Sequence, residues 1–218
     1  QRLALMLQNQ TEEEFADSRF QVLSELTRLR QLCCDPALVY ENYEGGSAKL
    51  DLCIELIQSA VESGHKILLF SQFTSMIEIL TARLQEESIS CFVLQGSTKK
   101  EQRAQMVEQF NRDDTSVFCI SLKAGGTGLN LTGADIVIHY DPWWNVAVEN
   151  QATDRAHRIG QKNVVTVYKL IAKGTIEEKI IKLQQMKKEL AEEILSGDEI
   201  KTASFQREEL LELLEERF

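Results

Sequence analysis

A parallel β-sheet covered by helices on both faces is the fold class this sequence predicts, on three observations. Short apolar runs rich in β-branched residues stand at 67–70, 91–94, 117–120, 136–138 and 164–168, the length of buried strands. Between them lie longer stretches with apolar residues at helical spacing, and alternation of strand and helix closes into a parallel sheet with helices on either side. With 218 residues and 43% hydrophobic content, the chain can bury one substantial core, enough for a single α/β domain with helical extensions.

Taken in order, Phe15, Val22, Leu26 and Leu29 form an apolar stripe on a helix over 12–32, and Pro36 ends that region. Residues 40–46 read as a linker. Ser47 caps a helix whose inner face holds Leu50, Ile54, Ile57 and Val61, and Ser63-Gly64 closes it. Helices are predicted at 74–87 and at 99–111, the second with a capping box from Thr98 and Glu101, and another at 145–157. Thr175 and Glu178 form a further capping box at the head of a long helix through Ile180, Leu183, Leu190 and Ile194. The tail 207–218, with Leu210, Leu211, Leu213 and Leu214, is an amphipathic helix that needs a partner surface, on another lobe or on this domain's own core. The chain thus divides into a helical extension and linker (1–46), the α/β domain (47–172) and a terminal helical region (173–218).

Composition narrows the class. No apolar run approaches the roughly 20 residues of a membrane helix, and no secretory leader is present. Five cysteines, two of them adjacent (Cys33 and Cys34), give neither a disulfide framework nor a spaced zinc motif. Cys53, Cys91 and Cys119 lie in apolar runs and read as buried reduced thiols. His65, His139 and His157 lack metal-site spacing and read as structural or solvated, so no metal site is expected. The net charge of −10 argues by itself against nucleic-acid binding. It is unevenly placed, however: −4 over 1–46, −2 over 47–172 and −4 over 173–218, which leaves room for a local basic surface on the α/β domain.

Loops that follow parallel strands at their carboxyl ends are where such sheets bind ligands. Gly125, Gly126 and Gly128 let backbone amides approach an anion, although alone they describe a tight turn. Their spacing is not Gly-x-Gly-x-x-Gly, so a dinucleotide-dependent dehydrogenase is excluded. Ser71-Gln72 and Gly96-Ser97-Thr98 also follow strands, offering small donors suited to phosphate or to ordinary turn chemistry. Gln151, Arg155 and Arg158 recur at helical spacing, and a convergent arginine pair suits a polyphosphate. A solvated face with the arginines paired to Asp154 or Glu149 is the alternative, and Trp143 and Trp144 alone would be core aromatics.

Four segments together resemble the SNF2 family, the DNA-translocating ATPases of helicase superfamily 2. Lys66-Ile67-Leu68-Leu69-Phe70-Ser71-Gln72-Phe73 resembles motif IV, and Leu94-Gln95-Gly96-Ser97-Thr98 with Arg103 resembles motif IVa. Ser121 to Leu131 resembles motif V, and Asp141-Pro142-Trp143-Trp144-Asn145 with Gln151 to Gln161 resembles motif VI. They stand in the family's order, with similarity extending to 26–33 and to 175–178. The resemblance implies a RecA-like second lobe with a central, mostly parallel sheet. It implies DNA-backbone contacts from Ser71, Gln72, Gly96, Ser97, Thr98, Ser121, Lys123, Gly125 and the more exposed of Trp143 and Trp144. Gly128, Asn130 and Gln151 would face the nucleotide, and Arg155 and Arg158 would act as arginine fingers on ATP.

ATP with Mg2+ would be held mainly by a first RecA-like lobe, whose Gly-Lys-Ser/Thr loop and acidic motif are missing: this chain contains no Gly-Lys dipeptide. The chain, which starts at Gln1, reads as an excised fragment and is expected to be inactive alone. Implied partners are double-stranded DNA bound without sequence preference, the first lobe of the same parent, and RNA polymerase or other DNA-bound proteins. No membrane is implied. The setting would be intracellular, with the nucleoid or the nucleus as its place. Gln95, Val146 and Asn150 replace the family's usual Asp, Pro and acidic residue. Two other readings stay open: a regulatory, protein-binding module without catalysis, and the lobe of a strand-separating helicase.

Overall fold

Five parallel strands build one sheet: β1 (Ile67–Ser71), β2 (Cys91–Leu94), β3 (Val117–Ser121), β4 (Ile136–His139) and β5 (Thr166–Lys169). They lie in the order β2-β3-β1-β4-β5. The structure, a computed structural model, describes residues 12–125, 128–156 and 163–194. The described helices are α1 (Glu12–Cys34), α2 (Ala48–Glu62), α3 (Thr74–Glu86), α4 (Lys100–Arg112), the four-residue α5 (Leu122–Gly125), α6 (Val146–Thr153) and α7 (Ile176–Ile194). Residues 34–171 form one compact unit, and the described parts of 1–33 and 172–218 belong to a second. The expected tail helix at 207–218 lies outside the described residues.

Strand periodicity divides the core in two, because successive side chains point to opposite faces. Ile67, Leu69, Val117, Cys119, Ile136 and Ile138 pack with Ile54 and Ile57 of α2 and Met76, Ile77, Leu80 and Leu84 of α3. The intervening Leu68, Phe70, Phe118, Ile120 and Val137 pack with Phe110 of α4 and Ala152 of α6. Phe118 sits between Phe110 and Phe92, with ring centroids 5.2 and 5.8 Å away. The fully buried rings of Phe110 and Phe118 each contribute about 2 kcal/mol of transfer free energy, and Phe92 is partly buried. β1, β3 and β4 are buried throughout, as central parallel strands must be. β5 is an edge and exposed along its length, and it begins two residues later than the apolar run, with Val164 89% exposed.

Local chemistry fixes the helix ends. Ser47 caps α2 by accepting from the Leu50 N–H at 3.4 Å, and Gly64 supplies the left-handed residue beyond it at φ +81°. The predicted Thr98–Glu101 capping box does not form. Lys99 is the N-cap without a side-chain bond, and Thr98 Oγ1 instead accepts from the Gln95 N–H at 3.1 Å. At α7, Thr175 Oγ1 accepts from the Glu177 N–H at 3.2 Å, while Glu178 reaches back to the Gly174 N–H at 2.9 Å. Along α7, Ile176, Ile180 and Leu183 are buried on one stripe.

At the other end of α4, Asn111 anchors the loop before β4. Its Nδ2 donates to the Asn130 carbonyl at 2.8 Å and its Oδ1 accepts from the Gly133 N–H at 2.8 Å. A Cβ at Gly133 would lie 3.0 Å from Asn111 Oδ1 and 3.1 Å from Asn111 Cα, so the backbone of α4 would have to give by a few tenths of an ångström. Gly133→Ala should therefore destabilise the chain by about 2 kcal/mol, read as a lower denaturant midpoint; an unchanged midpoint would show that the loop adapts freely.

Candidate functional site

The chain leaves β1 towards β2 and leaves β4 towards β5, in opposite directions along the sheet, so a crevice opens at the carboxyl ends of these neighbouring strands. The register puts the motif-like loops on this one edge. Ser71 pairs with Ser121, Leu94 with Ile120, and Phe70 with His139. The turns that follow, at Gln72, Gln95, Leu122 and Tyr140, consequently emerge side by side.

A buried carboxylate organises the crevice. Asp141, 1% exposed, accepts from Ser71 Oγ at 2.6 Å, from the Gln72 N–H at 3.3 Å and from Gln72 Nε2 at 2.5 Å. Ser71 is itself fully buried and also accepts from the Phe73 N–H at 3.2 Å. Its hydroxyl thus holds the turn together and does not face solvent, and Ser121 is likewise buried at 2% exposure. Phosphate-facing surface on these two loops is left to Gln72 and to the segment after Ser121. In the sequence Asp141 stands out as the head of the Asp-Pro-Trp-Trp-Asn segment, two residues past β4, but nothing there marks it as an organiser.

Trp143 and Trp144 are both half-buried, and Trp143 packs against the α4–α6 face of the sheet. The Trp143 N–H donates to Glu149 Oε1 at 2.6 Å, and Glu149 Oε2 accepts from Lys169 Nζ at 2.5 Å. Glu149 is 1% exposed, so it does not lie on the solvated helix face that helical spacing suggests. Beside it, His139 stacks on Phe70 at 5.5 Å between centroids, and its Nε2 lies 3.0 Å from Thr153 Oγ1. Burial holds the His139 imidazole down at about 4, with Glu149 pulling the other way and Lys169 adding to the depression.

A histidine lowered from 6.5 to about 4 makes the unfolded chain bind more protons at intermediate pH. Its contribution is whole above pH 6.5 and is lost as pH falls through 4. Stability should drop by about 3 kcal/mol across that window, and His139→Gln should flatten the slope in denaturation curves at stepped pH. An identical slope in the variant would remove His139 from the account.

The loop after β2 is wrapped around one guanidinium. Arg103 Nε donates to the Thr98 carbonyl at 2.8 Å, and its Nη2 reaches the carbonyls of Gly96 at 3.0 Å and Gln95 at 3.4 Å. Gly96 and Ser97 are exposed, and Thr98 is half-buried. After β3, Gly128 takes φ +64°, a Cβ there would meet nothing within 4 Å, and Asn130 is exposed. Of Lys123 and Gly125 the backbone is described, within α5.

The arginine segment differs most from its predicted form. α6 ends at Thr153 rather than 157, and Arg155 and Ala156 continue as tight turns whose N–H groups reach the carbonyls of Ala152 and Thr153. Gln151 is exposed whereas Arg155 is 2% exposed, so the two do not share one solvent face. The Arg155 carbonyl accepts from the Leu131 N–H at 3.0 Å, which ties this segment to the end of the loop after β3. Arg158 and His157 lie outside the described residues.

Among the described residues no group of His, Cys, Asp or Glu could hold a metal ion, and no helix is long and apolar enough to cross a membrane. His65 pairs with Asp135 at 2.9 Å at the opposite end of the strands. Cys33, Cys34, Cys53, Cys91 and Cys119 are free thiols; Cys91, on edge strand β2, is half-buried rather than buried. Burial pushes the Cys53 thiol up to about 12.

Comparison with known proteins matches residues 48–160 to the helicase conserved C-terminal domain. An uncharacterised ATP-dependent helicase of Mycoplasma pneumoniae is 45% identical over 202 residues, 91% of this chain and 19% of that protein. The human chromatin-remodeling ATPase INO80 is 43% identical, over 77% of this chain and 11% of its own length. The chain thus spans less than a fifth of these relatives. Among solved structures, the C-terminal domain of the Sulfolobus solfataricus SWI2/SNF2 ATPase superposes with a TM-score of 0.75 at 31% identity, over 98% of this chain and 88% of that one. The core of the same ATPase in complex with double-stranded DNA gives 0.73 at 34% identity, over 89% and 41%.

Proposed function

The chain belongs to the helicase conserved C-terminal domain family, in its SWI2/SNF2 branch, and we propose that it is the second ATPase lobe of a double-stranded-DNA translocase. The parent would hydrolyse ATP to move along DNA and to remodel or displace DNA-bound protein, RNA polymerase included. The observation that carries this reading is the alignment of four motif loops along one carboxyl edge of a parallel sheet, within the span of the family match.

The residues divide by chemistry. Gly96, Ser97 and Thr98, held from behind by Arg103, and Gln72, Lys123 and Gly125 would meet DNA phosphates, which fix register without reading sequence. Since Trp143 packs on the sheet core, Trp144 is the member of the pair offered to DNA. Gly128 and Asn130, exposed on an open stretch of backbone, suit the nucleotide's phosphates or sugar. Gln151 would help place the γ-phosphate, and Arg155 and Arg158 would neutralise charge on the phosphoryl group during transfer. Because Arg155 is buried in this lobe, its part requires the turn after α6 to open towards the cleft as the lobes close. Mg2+ and most phosphate contacts fall to the first lobe, so the isolated chain hydrolyses no ATP.

The test is ATP hydrolysis by the full-length parent with and without duplex DNA, together with displacement of a third strand from a triplex. Stimulation by duplex and triplex displacement without unwinding support translocation; unwinding points to a strand-separating helicase. No hydrolysis at all would leave a regulatory module. The work is done wherever the DNA is, inside the cell.

A further inference from the structure

The backbone from Asp141 to Trp143 continues β4, the strand between β1 and β5, and is fastened on both flanks by buried carboxylates. Asp141 secures the β1 side through Ser71 and Gln72. Glu149, on α6, secures the β5 side, with one oxygen on the Trp143 N–H at 2.6 Å and the other on Lys169 Nζ at 2.5 Å. A carboxylate buried this deeply is costly unless paired and hydrogen-bonded, and here both oxygens are committed. Helix capping does not account for it, because Asn145 already caps α6 by accepting from the Ala147 N–H at 2.9 Å.

We infer that Glu149 is a positioning residue that transmits DNA contact at the Trp143-Trp144 turn to the arginine-bearing end of α6. The helix is tied to the β4 continuation through Glu149 and Trp143 and to β4 itself through Thr153 and His139, and it leads directly to Arg155. A shift of the tryptophan turn on DNA therefore pulls on α6 through Glu149, against the Thr153–His139 anchor beside Arg155. Lys169, at the open edge of the sheet, holds the far side of the carboxylate in place. This inference rests on the translocase reading above.

In the full-length parent, Glu149→Ala should lower the ratio of DNA-stimulated to basal ATP turnover about tenfold, with DNA affinity changed less than about threefold. Glu149→Gln, which keeps an acceptor for the Trp143 N–H, should recover part of that ratio. Lys169→Met, which leaves one oxygen of the buried Glu149 without its cation, should lower it in the same sense, and Glu149→Gln, neutral and of the same volume, carries the test if Glu149→Ala or Lys169→Met fails to fold. An unchanged ratio in the variants overturns the inference, as does a fall in DNA affinity matching the fall in turnover, since that is a binding defect. Absence of DNA stimulation in the unaltered parent would sink the translocase reading itself, and is read before any variant is made.

Discussion

Replacing Arg155 and Arg158 together with alanine in the full-length parent should lower DNA-stimulated ATP hydrolysis on the order of 10³-fold while ATP and DNA still bind. The size follows from where the charge develops. In phosphoryl transfer the protein makes few bonds and supplies position and compensating charge, so guanidinium groups acting in the transition state are lost from turnover far more than from binding. The two single variants should separate by stability. Arg155 is 2% exposed, so Arg155→Ala removes buried packing and should also lower the unfolding midpoint of the chain. Hydrolysis that survives in the double variant would sink the arginine-finger assignment and favour a regulatory module.

Asp141→Ala should destabilise the chain by about 3 kcal/mol in urea denaturation, the largest effect expected of any single side chain at the crevice. The alanine leaves the Ser71 hydroxyl, the Gln72 amide and the Gln72 side chain without the acceptor they share, and Ser71 is fully buried. Asp141→Asn keeps the volume and one acceptor oxygen, and should cost about 1 kcal/mol, because its NH2 group faces donors. Since the same carboxylate joins the turns after β1 and β4, both variants of the parent should need more DNA for half-maximal stimulation. A cost below about 1 kcal/mol for alanine would mean that the network contributes little beyond what water supplies.

Much of the fold is written in local sequence. The five apolar runs each became a strand, and Ser47, Gly64, Asn145 and Thr175 act at helix ends where short-range rules put such residues. Thr98 departs from its predicted role because the loop after β2 offered its hydroxyl a nearer partner, the Gln95 N–H. The arginine helix departs because its last turn is drawn onto Leu131, a contact across 24 residues of chain that periodicity does not see.

The candidate site divides along the same line. Which loops carry donors for phosphate could be read from the residues, because glycine, small hydroxyls and arginine keep their chemistry in any fold. Which donors remain available could not. Ser71 and Asp141 are 70 residues apart, and Lys169 and Glu149 are 20 apart, so their pairing exists only once β1, β4 and β5 lie side by side. The sequence by itself determined the strand–helix alternation, the family and the chemical types along the edge, since these depend on composition and spacing. The tertiary structure alone decided that Asp141, Glu149 and Arg155 are buried and that Gln151 and Arg155 face apart, because burial and pairing of charge are properties of neighbours brought together by the sheet.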